Sequence, residues 1–120
     1  MANPNIVNVS TIKGKTVGQA VGTSAAAIVT NSSSSGKIFK INSLVVSNID
    51  GTNIAEITAT VYKNQTTEFH LAKTISVPIN ATLVIVSKDT SIYLEENDSI
   101  RLSASAASDL EAVCSYEEIS

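Results

Sequence analysis

Tryptophan is missing from this chain, aromatic residues reach only 4%, and 120 residues hold one cysteine, one histidine and two prolines. Each shortage closes a route. A lone cysteine excludes an internal disulfide, and its place in the alternating run Leu110, Ala112, Cys114 makes it a small buried hydrophobe. With His70 the single histidine, neither a multi-histidine metal site nor a Ser/His/Asp relay has an alternative if His70 is structural. Tyr62, Tyr93 and Tyr116 are the only tyrosines, too few rings for a sugar to stack on. No apolar run approaches the roughly 20 residues of a membrane helix. The opening MANPNIVNVS has no charged start followed by an apolar core, so the chain is expected to be made and kept in the cytosol. Basic clusters are missing too: with a net charge of −3 and a pI near 5.0, phosphate contacts and hence nucleic-acid binding are not expected.

What the chain does contain is Ile, Val, Leu and Ala in short runs, 43% hydrophobic overall, set among Ser, Thr and Asn. Those polar residues favour strands, turns and wet faces over helix interiors. The length suits one domain with one core. Ile57, Ala59 and Val61 alternate with Thr58, Thr60 and Tyr62; Ile100, Leu102, Ala104 and Ala106 alternate with Arg101, Ser103 and Ser105. Leu110, Ala112, Cys114 and Tyr116 share one face of a last strand. Ile38 to Asn48 is a long apolar strand, Asp50-Gly51 reads as a hairpin turn, and Leu83 to Val86, the most apolar stretch, is expected at the centre of its sheet, with Ile85 and Leu102 in the core. KNQTTE, Pro78 with Asn80, Lys88-Asp89-Thr90 and the EEND run mark further turns. The predicted fold is an all-β, jelly-roll-like antiparallel sandwich of about seven to eight strands with an extended N-terminal arm.

The arm is expected over residues 1–24 and the sandwich over residues 25–120. Gly14, Gly18 and Gly22 space the arm too irregularly for a self-sufficient core. Ala25 to Thr30 reads as a first strand, although Ala25, Ala26 and Ala27 could begin a helical turn. Asn31 to Gly36, with four serines, reads as a flexible loop. Ile6, Val7, Val9, Ile12 and Val17 are apolar enough to want a partner, and Lys13 and Lys15 accompany them without an acid. From Asp89 onward eight acids face the single Arg101. That polarity suits docking of the arm, with these seven residues as its contacts, on a neighbouring copy, by adding a strand to its sheet edge, or on an acidic capsid patch.

Catalytic constellations fail on inspection. No GxSxG frames a serine, and the glycines follow no phosphate-binding spacing. Glu95, Glu96 and Asp98 are too close together to be other than turn charge, and they match no EF-hand. Asn-X-Ser/Thr occurs at Asn8, Asn31, Asn64, Asn80 and Asn97, where it reports polar turns. No enzyme activity, cofactor or metal is therefore expected.

Four stretches carry a resemblance: MANPNIVNVSTIKGKT, INSLVVSNIDGTN, LVIVSKDTSIYLEENDSIRLSASAASDLEAV and the ending SYEEIS. Together they make the chain similar, end to end, to small virion structural proteins of tailed bacteriophages, especially those of marine bacteria. The resemblance brings no catalytic motif. It implies a virion protein made in the host cytoplasm without saying which; a small single sandwich with a sticky arm suits many-copy surface binding, so the foremost expectation is a capsid decoration (cement) protein assembling as symmetric copies. The implied partners are itself, as a trimer, and the major capsid protein, without nucleic acid or membrane. Neck or tail adaptor, fibre component, and host-receptor or glycan-binding module are the alternatives. Asn97 stands where related sequences tend to carry glycine in the YLEExD turn, and Asn tolerates the left-handed conformation that such a turn needs.

Overall fold

Period-two alternation becomes alternating burial. In the last strand Leu110, Ala112 and Cys114 are buried while Glu111 and Val113 are exposed, and Ile100, Leu102 and Ala104 are buried between half-exposed neighbours. The computed structural model describes residues 4–120. Its strands are β1 (Ile12–Val21), β2 (Ala26–Thr30), β3 (Ile38–Asn48), β4 (Ala55–Lys63), β5 (Thr67–Val77), β6 (Thr82–Val86), β7 (Ile92–Leu94), β8 (Ser99–Ala104) and β9 (Leu110–Ile119), with a 3-10 turn over Lys88–Thr90.

All the pairings are antiparallel and form two sheets, ordered β1-β9-β3-β6 and β2-β8-β4-β5. β6 pairs with Leu44–Ser47 of β3 and β7 with its Phe39–Ile41, so the two are one strand interrupted by the 3-10 turn. Counted that way, the connectivity is that of an eight-stranded jelly roll, as the sequence predicts. Ile41, Leu44, Val46, Ile57, Ile100, Leu102 and Leu110 fill the space between the sheets, each fully buried.

Local chemistry sets the turns. Asn64 and Gln65 both have positive φ, 53° and 54°, and the Thr66 N–H donates to the Lys63 carbonyl at 3.0 Å, making a type I′ turn that matches the strand twist of the β4–β5 hairpin. Asn97, at φ 72°, takes the left-handed conformation expected of it.

Four expectations are corrected. Ile12–Val21 is not a free arm: as β1 it pairs with β9 over ten residues, Ile12 with Ile119 through Val21 with Leu110. Residues 1–3 of the expected arm lie outside the described residues. Asp50-Gly51 does not make a hairpin, because β3 and β4 belong to different sheets and the chain crosses the sandwich there. Asp50 instead accepts the Thr52 N–H and hydroxyl at 2.9 and 2.8 Å, and Asn48 anchors the crossing by donating to the carbonyls of Asn53 and Val77. The loop from Asn31 to Gly36 is fastened rather than flexible. Asn31, fully buried, donates to the Lys37 and Leu94 carbonyls at 2.9 and 3.0 Å and accepts from the Ser35 hydroxyl at 2.6 Å. Finally, β6 lies at the end of its sheet rather than the centre, with Ile85 half-buried.

Leu102, 1% exposed, is the sharper test of the core. Leu102→Ala is expected to cost about 2–5 kcal/mol in urea unfolding, from lost transfer energy plus a cavity. Ser103→Ala, on the opposite face of β8, is expected to stay within about 0.5 kcal/mol.

Candidate assembly surfaces

The jelly roll positions few groups with chemistry to offer. Among the described residues no three His, Cys, Asp or Glu side chains stand together to hold a metal ion. His70 is exposed on β5, across from Thr60. Asp98 is buried in the turn before β8, where its carboxylate accepts from Lys63 Nζ at 2.6 Å and from the N–H groups of Asn64 and Glu95 at 2.9 Å each. The hydrogen bond to Asp98 raises the pKa of Lys63. An acid that the sequence presents as turn charge is therefore the clasp between the β4–β5 and β7–β8 turns.

A second carboxylate does similar work at the rim. Glu118 continues the inward-facing row of β9 past Tyr116 and is mostly buried. It meets Lys37 at 2.8 Å and Lys15 of β1 at 3.0 Å. The hydrogen bonds from Lys37 and then Lys15 hold its carboxyl below the usual value of 4.5. Lys15 thus spends its charge inside its own chain rather than on a neighbour.

The other predicted arm contacts separate into two groups. Val17 is half-buried and packs against the core, whereas Ile12 and Lys13 of β1 are exposed. Ahead of β1, the segment 4–11 turns at Asn5–Asn8. It is pinned at its root, where the N–H groups of Ser10 and Thr11 donate to the Ser120 carbonyl at 2.8 and 3.0 Å. Val9 is half-buried there, but Ile6 and Val7 are uncovered, Val7 at 90% exposure.

A further apolar surface escaped the sequence reading. β5 and β6 are the terminal strands of their sheets and flank a groove of about 540 Å³ lined by His70, Leu71, Lys73, Ile75, Leu83 and Val84, with Ala72 and Ile85. Phe69 at 60%, Ile75 at 42%, Ile79 at 39% and Val84 at 57% exposure crowd this side of the molecule. Signals for it were present: Phe69 and Ile75 stay exposed on a strand whose other apolar residues, Leu71, Ala72 and Val77, are wholly or partly buried, and Leu83 to Val86 is more apolar than an edge strand needs.

No protein family matches the sequence, and no curated protein does. The fold does have a counterpart among solved structures. The chain is similar to one from work titled "Bacillus endospore appendages form a novel family of disulfide-linked pili", with a TM-score of 0.56 and 17% identity over 92% of this chain and 87% of that one. That likeness confirms the two-sheet sandwich. It overturns the expected phage function: this solved structure with the same fold comes from work on a bacterial endospore appendage and not on a virion. Capsid decoration, its phage alternatives and the virion location fall with it.

Disulfide linkage does not carry over either. One cysteine per chain can join two copies but cannot extend a polymer, and Cys114 is fully buried. Burial pushes its thiol up to about 11, leaving little thiolate at neutral pH. Native protein is expected to resist thiol reagents until it unfolds. Labelling at the rate of a free thiol would put Cys114 outside the core.

For Glu118 the sign follows from its lowered pKa. Its contribution to stability is present above the unfolded value near 4.5 and is lost as pH falls through the lower folded value. Glu118→Gln is expected to flatten that acid limb of the stability profile without changing its shape above neutrality.

Proposed function

We propose that this chain is a non-enzymatic structural subunit that assembles with copies of itself, without covalent links, into an appendage-like polymer. The observation that carries the reading is the apolar side formed by Phe69, Ile75, Ile79 and Val84 beside two unpaired sheet edges. Exposed apolar patches on a soluble chain mark contact surfaces, and an open strand edge is a template for another chain. The polar groups that might argue for catalysis serve instead as internal fasteners: Asp98, Glu118, Asn31 and Asn48 all hold loops or strands of their own chain. The pilus with the same fold supports an assembling role. The single buried cysteine directs that role to non-covalent contacts.

Sedimentation velocity over a range of concentrations tests the proposal. Larger species are expected to grow with concentration and to be indifferent to reductant. A chain that remains monomeric at every concentration, or one whose larger species vanish on reduction, would overturn it.

A further inference from the structure

We infer that the groove between β5 and β6 receives the Ile6–Val7 tip of the segment 4–11 of a second copy of this chain. The inference deepens the proposed self-assembly and rests on it. Among the apolar features left uncovered in the described residues, two match in kind. One is a slot whose walls are sheet edges carrying Ile75 and Val84, with Phe69 and Ile79 beside it. The other is a short segment ahead of β1 that offers Ile6 and Val7 and carries no charged residue, so it brings no ion of its own to be stripped of water. Both walls end their sheets, so the slot can also give main-chain hydrogen bonds to an added strand.

A copy cannot fill its own slot. The sheet order β1-β9-β3-β6 puts the root of the segment and the slot at opposite edges. Through the register, Ile12 is level with Ile38 and Val84 is level with Val45 of β3. That is about 24 Å along the strands and about 14 Å across them, a diagonal of about 28 Å. The eight residues 4–11 reach at most about 28 Å when fully extended, which leaves none to lie in the slot. The contact is therefore made between copies and joins different surfaces, a head-to-tail geometry that propagates into a ring or a filament.

Two exposed positions test this. Val7→Asp spoils the segment and Val84→Lys spoils the slot, and neither side chain contributes to the core, so both variants are expected to keep the parent melting temperature; Phe69→Ser serves as a second slot variant. Each variant alone is expected to associate about thirtyfold or more weakly than the parent. Mixed one to one, Val7→Asp and Val84→Lys are expected to regain association, since each supplies the half that the other lacks. A parent that assembles together with slot variants that assemble equally well would overturn the inference and leave the proposed function standing. So would assembly lost in Val84→Lys but intact in Val7→Asp, which would mean that slot meets slot. A parent that never associates would sink both.

Discussion

One strand carries the architecture. Each residue of β9 from Leu110 to Ile119 has a partner on β1, and β3 covers nearly the same stretch on the other side. The last residues of the chain thereby organise the first sheet, and β1 keeps its place through a ladder of main-chain hydrogen bonds rather than by burial: only Val21 is fully buried and Val17 and Gln19 partly so. Glu118 reinforces that ladder where it is weakest in apolar contact, by pairing with Lys15 across the strands and with Lys37 beyond them. Ion pairs with one exposed partner contribute little alone, so the ladder dominates.

Above that frame, a division of labour runs through the polar residues. Buried Asn31 and Asn48 satisfy backbone carbonyls that the crossings between sheets leave without ladder partners, and Asp98 satisfies two N–H groups at a double turn. A buried carbonyl without a donor costs more than a made hydrogen bond returns, so these side chains are constrained by the fold and are not available to a ligand. The surfaces left for function are therefore apolar and main-chain in character. They include those where the strand order stops, at β5 and β6, and ahead of β1, while Ile49 and Ile54 stand exposed at the β3–β4 crossing.

Much of the fold was legible because alternation is a direct consequence of a strand with one face buried: Ile57 to Ala59, Ile100 to Ala104 and Leu110 to Cys114 announced their faces correctly, whereas beyond Ala59 the expected wet Thr60 is buried and Val61 only half-buried. Pairing partners were not legible. Asp50-Gly51 has the local chemistry of a hairpin, yet β3 and β4 find partners far along the chain, and only the whole topology decides that the segment crosses between sheets. β1 was concealed by its glycines and by near-complete exposure, which erase the apolar alternation that marks a strand. The groove was concealed for the opposite reason: an apolar run such as Leu83 to Val86 reads as core, and nothing in a sequence distinguishes a strand covered by its own domain from one that waits for another copy. The exposed Ile6 and Val7 were legible as unmatched, but their counterpart was not.

The central claim is that the sandwich is complete in its core and incomplete at one side, and amide hydrogen exchange at increasing protein concentration tests it most directly. As copies associate, residues 4–11, β5 and β6 are expected to gain protection together, while β9 and β8, already fully paired, keep the protection they have at dilution. Protection that is unchanged in those edge segments, or that rises first in the central strands, would contradict the account.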